Sequence, residues 1–148
     1  MKKVTLVVLV FLLLSPPAWG AGMLACTPYD KGVGYFVITC TATADASGSF
    51  PATSLSGVWP QDDSNQGGFY IFQAEFLPGS TAPTNGYQVS IKDNWGVDLL
   101  LGKGAALSNA ASSIQPGIDT FSDSAPTVYI TGNSVAGAVA NFKLTLVR

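Results

Sequence analysis

Histidine is absent from this sequence. That removes the commonest metal ligand and every Ser-His-Asp or Cys-His nucleophile pair. Charge is scarce as well: 11% of residues are charged, and nine acidic against seven basic side chains give a formal net charge of −2. A protein that binds nucleic acid by neutralising phosphates would lack its main affinity term at that balance. Glutamate occurs once, at Glu75, so a hydrolase working through two carboxylates would need Glu75 to meet an aspartate across a cleft. Long amphipathic helical periodicity is missing from residues 21–148. Nor is there a membrane-spanning run, because the apolar stretch Val4 to Leu14 is too short to cross ~30 Å of hydrocarbon.

What remains is a chain of 148 residues that is 47% hydrophobic, with 16 Gly and 9 Pro and with abundant Ser, Thr and aromatics. That composition suits an all-β extracellular domain better than a disordered chain. Met1-Lys2-Lys3, the apolar Val4 to Leu14, the helix-ending Ser15-Pro16-Pro17 and the small residues of Ala18-Trp19-Gly20 make the three-part pattern of a secretory signal peptide. The expected division is therefore a signal peptide over residues 1–20 and one domain over 21–148. That domain, with five basic and nine acidic residues, would be exported to the periplasm, the medium or a particle. A second reading makes Cys26 a lipidated residue, since Met23-Leu24-Ala25 loosely matches a lipobox.

Cys26 and Cys40 are the two cysteines, and in an exported protein an even pair is expected to be bridged. Such a bridge would tie the mature N-terminus to the first strand. The body reads as about seven short strands bounded by Gly, Pro, Asn and Asp, which predicts a single antiparallel β-sandwich, jelly-roll-like or a partly open barrel. Expected strands cover Gly34 to Thr43, Ala52 to Trp59 and Gly68 to Leu77, the last largely apolar on both faces at its start and so either a central strand covered on both sides or one covered by a neighbour. Tyr87 to Asp93 turns through Asp93-Asn94-Trp95-Gly96 into Val97 to Leu101 as a β-hairpin. Thr127 to Thr131 and Ala138 to Val147 read as a closing pair, and Ala105 to Ala111 as one short helical turn.

Three stretches carry a likeness: Thr43 to Gly48 (TADASG), Ala82 to Gly102 with its pattern PTxxYxVxxxDxxGVDxLxGxG, and Asn133 to Gly137 with the terminal Leu144 to Arg148. Over approximately Gly34 to Arg148 the chain resembles small proteins encoded among the virion genes of tailed phages and prophages. Gly104 to Asn109 stands where that family has Gly-Ala-Asn-Arg, so a basic position is lost. The resemblance implies a small β-rich structural protein without catalysis, though the family lacks the signal peptide and the cysteine pair.

Candidate sites are few. Asp62-Asp63-Ser64-Asn65-Gln66-Gly67 is oxygen-rich, and Asp63 and Asn65 could contribute to a calcium loop. An EF-hand would continue to a bidentate Glu between two helices, which this segment does not, so a solvated loop is the competing reading. Asp93 and Asp98 flank the hairpin turn, where Asp commonly bonds nearby amides. Among the aromatics, Trp95 in a polar turn, Trp59 before Pro60, and Tyr70 form a candidate binding platform. No cofactor is expected. The sequence thus points to a non-enzymatic exported structural or surface-interaction protein that engages protein partners or copies of itself. The alternative is a secreted carbohydrate-binding module using Trp95, Trp59 and Tyr70 on a polysaccharide.

Overall fold

The computed structural model describes residues 20–60 and 68–148. The segment read as a signal peptide, apart from Gly20, and the Asp63/Asn65 loop lie outside the described residues. Within them are eight strands and no helix: β1 (Met23–Gly32), β2 (Tyr35–Thr43), β3 (Thr53–Ser54), β4 (Phe69–Pro78), β5 (Gln88–Lys92), β6 (Ser113–Ser122), β7 (Thr127–Thr131) and β8 (Val139–Val147). They form two open antiparallel sheets, ordered β1-β2-β8-β4-β6 and β3-β7-β5. This is the β-sandwich that the strand spacing predicted.

Period-two alternation builds the core. In β8, Ala140, Phe142, Leu144 and Leu146 point inward and are buried, while Asn141, Lys143 and Thr145 face out. Ile38, Cys40 and Ala42 of β2 stand directly opposite Leu144, Phe142 and Ala140, so neighbouring strands bury the same face. Val89 and Ile91 of β5, with Val128 and Ile130 of β7, supply the other half of the core.

Several expectations change here. The final two strands do not pair: β7 lies in the three-stranded sheet, and the chain crosses to place β8 between β2 and β4. An inward face with four apolar side chains in β8 is best buried at the centre of the larger sheet, not at an edge. Two strands escaped the sequence reading. β1 shows no apolar alternation because it is an exposed edge, and Pro116-Gly117 inside β6 reads as a turn. In β6 that turn chemistry serves a bulge, where Gly117 and Asp119 take positive φ and Ile118 is driven into the core.

The strand expected over Ala52 to Trp59 shrinks to β3, because Val58 and Trp59 donate back to the Leu55 carbonyl and curl the chain. The Asp93 turn forms, but Val97 to Leu101 is not a strand: after one bridge between Lys92 and Asp98 the backbone winds into successive turns. Asp98 causes this, since its Oδ1 accepts from the amides of Ile91 and Leu100 and its Oδ2 from that of Gly102. No helical turn forms at Ala105 to Ala111. There the chain lies along β5, with Leu107 bridged to Tyr87 and Gly104 so close that a Cβ would stand 2.0 Å from the Val89 carbonyl oxygen. Of the two arrangements expected for β4, it lies inside the sheet between β8 and β6 but is not covered on both sides: Tyr70 and Phe72 remain exposed on its outer face.

Cys26 and Cys40 are disulfide-bonded across β1 and β2. A sulfur so bonded cannot also hold a thioether-linked lipid, which removes the lipoprotein reading of Cys26. Their Cα atoms are 4.1 Å apart, which marks a non-hydrogen-bonded pair whose backbone groups face away from the partner strand. Pro28, two residues on, shares that phase and turns its donor-less nitrogen to the free edge of β1. A proline there costs the ladder nothing and interrupts the row of donors that another strand would need.

Two outcomes are expected. Replacing both cysteines (Cys26→Ala with Cys40→Ser) should lower unfolding stability by about 3 kcal/mol, the loop-closure value for a ring of this size, read from urea denaturation. Pro28→Thr should leave the melting midpoint nearly unchanged while raising the self-associated fraction in sedimentation velocity, because it restores the missing edge donor.

Candidate functional site

The outer face of the five-stranded sheet is the best-built surface of the molecule. Side chains directly opposite one another across paired strands share a face. The register therefore sets Tyr35, Val147, Tyr70 and Phe121 in one row over β2, β8, β4 and β6. At ~4.8 Å between strands the row is roughly 14 Å long. Tyr35, Tyr70 and Phe121 are 42%, 44% and 47% exposed, each about half open to solvent. The Tyr70 and Phe121 rings sit 5.2 Å apart at 56°, an edge-inclined aromatic pair. Phe72, at the bulge between Ile71 and Gln73, adds a further exposed ring from β4.

Below this row the face mixes polar and apolar side chains. Val37, Thr145, Gln73 and Pro116 make the next row, and Thr39, Lys143, Glu75 and Ile114 the one after. Lys143 Nζ is 2.6 Å from Glu75 Oε1, and Gln73 Nε2 donates to the same oxygen at 2.8 Å. The one carboxylate on these rows is thereby matched by the one cation, and no second carboxylate stands beside it. A cavity of about 340 Å³ opens here, lined by Thr39, Glu75, Leu77, Ile114, Asn141 and Lys143 among others. Its size lies near the lower end of ligand pockets, ~300–1,000 Å³.

The three residues of the expected platform are not gathered. Trp59 is only 3% exposed and belongs to the core, where its amide donates to the Leu55 carbonyl. Trp95 is 86% exposed on the turn after β5, held there because Asp93 Oδ1 accepts from the Trp95 and Val97 amides while Gly96 takes a positive φ. Tyr70 stands on the other sheet with Phe121. Tyr35, Ile114 and Lys143 were not singled out from the sequence. The signal for the first was present in the alternation of β2, whereas Ile114 sits in the strand disguised by Pro116-Gly117.

The opposite end of the sandwich is a hydrogen-bonded clamp. Asp45 Oδ1 accepts from the Ser47 amide, the Ser47 hydroxyl and the Ser49 amide. Asn133 Oδ1 accepts from the Thr84 and Val135 amides, and its Nδ2 donates to the carbonyls of Gly48 and Val135. Gly48 has positive φ and approaches Ser134 so closely that a Cβ would lie 2.6 Å from its carbonyl carbon. Three segments that carry the sequence likeness thus meet in one loop cluster: Thr43 to Gly48, the Thr84 loop, and Asn133 to Gly137. The Ser47 hydroxyl, followed by the Ser49 amide, holds the Asp45 carboxyl below its ordinary value. A depressed carboxyl contributes stability above the unfolded Asp range near ~4, and that contribution is lost as pH falls through the lowered value. Amide exchange at Ser47 and Ser49 should therefore quicken in Asp45→Ala at neutral pH, and the wild-type loop should loosen only below about pH 4; equal exchange in both proteins would show that the carboxyl does not hold the loop.

No family model, no curated protein and no solved structure matches this chain.

Proposed function

We propose that this chain is an exported, non-enzymatic surface-interaction protein, akin to a structural component of a phage-like particle, and that the outer face of its five-stranded sheet is the contact surface. The exposed row of Tyr35, Tyr70 and Phe121 carries the reading. Large rings left half open on a regular, well-packed sheet gain from covering by something outside the fold. The two edges of the larger sheet are β1 and β6, and the proline-interrupted β1 edge directs contact to the face.

Export is supported by the signal-peptide pattern and by the disulfide, which persists in oxidising compartments. Among the described residues no helix is long and apolar enough to cross a membrane. A particle role draws on the resemblance of the three loop segments, which the Asp45 and Asn133 bonds bring into one rigid cluster. The chemistry of the face fits contact better than turnover, since its single carboxylate is occupied by Lys143 and Gln73.

Density-gradient fractionation of a producing culture, with intact-mass detection, tests this. The protein should sediment with particles, begin at Ala21 and carry two oxidised sulfurs. A protein found free in periplasm or medium would overturn the particle role, and a mass that retains residues 1–20 would overturn signal cleavage.

A further inference from the structure

We infer that the outer face of the five-stranded sheet binds a neutral polysaccharide, with Tyr35, Tyr70 and Phe121 stacking on its sugar rings and the adjoining cavity seating one sugar residue. This rests on the proposal that the face is the working surface, and it names the partner that the surface fits.

Charge narrows the choice. The chain is net acidic, yet over the rows from Tyr35 to Asn141 the charged side chains are Glu75 and Lys143, joined at 2.6 Å. These rows over β2, β8, β4 and β6 therefore carry no net charge, while on β1, at the edge of the face, Lys31 Nζ lies 5.6 Å from the Tyr29 ring and adds a cation. The face offers a polyanion no cationic cluster, and the acidic remainder of the molecule repels one at longer range. A basic partner finds no uncompensated carboxylate on these rows. An uncharged ligand meets no desolvation penalty beyond its own hydroxyls.

Composition separates a sugar from a protein surface. The desolvated centre of a protein interface is a continuous apolar patch. On this face the aromatic row gives way to rows in which Thr145, Gln73, Thr39, Thr41 and Asn141 are interleaved with the apolar Val37, Pro116, Ile114 and Leu77, so hydroxyl and amide groups break up the apolar surface. Apolar ring faces bordered by neutral hydroxyl and amide groups match a pyranose, which has C–H faces for stacking and equatorial hydroxyls for hydrogen bonds. Asn141 Oδ1 already accepts from the Thr41 hydroxyl, which orients the side-chain amide on the face. The cavity beside it joins Ile114 and Leu77 to these polar groups, the mixture of apolar wall and few directing groups found in ligand sites. A row roughly 14 Å long on rigid strands favours an extended polymer over a monosaccharide.

The test is retention of the purified mature protein on cellulose, chitin, xylan and mannan, with polygalacturonate as the polyanion, alongside the Tyr70→Ala, Phe121→Ala and Trp95→Ala variants. Binding to at least one neutral polymer is expected, tenfold or more weaker on polygalacturonate. Tyr70→Ala and Phe121→Ala should each weaken it at least tenfold, Tyr70→Phe should retain it, and Trp95→Ala should leave it unchanged. Matching thermal melts would show that the variants are folded. Failure on every neutral polymer, preference for polygalacturonate, or loss in Trp95→Ala alone would overturn the inference. Particle sedimentation is scored separately, so a protein that sediments with particles yet binds no polysaccharide would leave the particle role standing and this inference refuted.

Discussion

The position of β8 between β2 and β4 is the constraint on which the larger sheet depends. β2 and β4 have no ladder in common, and each pairs with β8 over almost its whole length. The same strand carries four consecutive inward apolar side chains at the sandwich centre and sets Asn141, Lys143 and Thr145 on the outer face. Core and candidate surface are therefore two phases of one alternation. A one-residue slip of β8 would bury Lys143 and expose Phe142, destroying both at once.

The sheet's outer face inherits its order from this arrangement. Tyr35 and Tyr70 come from strands far apart in sequence, and Val147 between them fixes their spacing. The ion pair of Lys143 with Glu75 likewise joins β8 to β4. An exposed pair of this kind contributes little to stability, ~0–1 kcal/mol, so its larger consequence is to balance charge along the row it shares with Thr39 and Ile114.

Much of this was legible in the sequence, and for identifiable reasons. The all-β class, the disulfide, and the alternation of β2, β5 and β8 follow from side-chain period and turn chemistry, which are local properties. Pairing is not local, and that is why β7 and β8, adjacent in sequence and separated by turn residues, look like a hairpin yet serve different sheets. β6 was hidden because Pro116 and Gly117, read locally, mark a turn, while in the fold they shape a bulge. The candidate surface was legible only in part. Tyr70 and Phe121 were visible as aromatics, but their union with Tyr35 required the register. Trp59 shows the limit from the other side: a residue next to a proline and a loop is nonetheless core, because Leu55 turns the chain inward.

The place of β8 in the chain has a temporal consequence. It is the last strand in sequence order, and the two halves of the larger sheet are bridged through it. Until β8 is in place, the β1–β2 ladder and the β4–β6 ladder lack the strand that joins them. Contacts this distant in sequence also form slowly. A chain of this design closes its larger sheet late in folding, once segments far apart in sequence have met on β8.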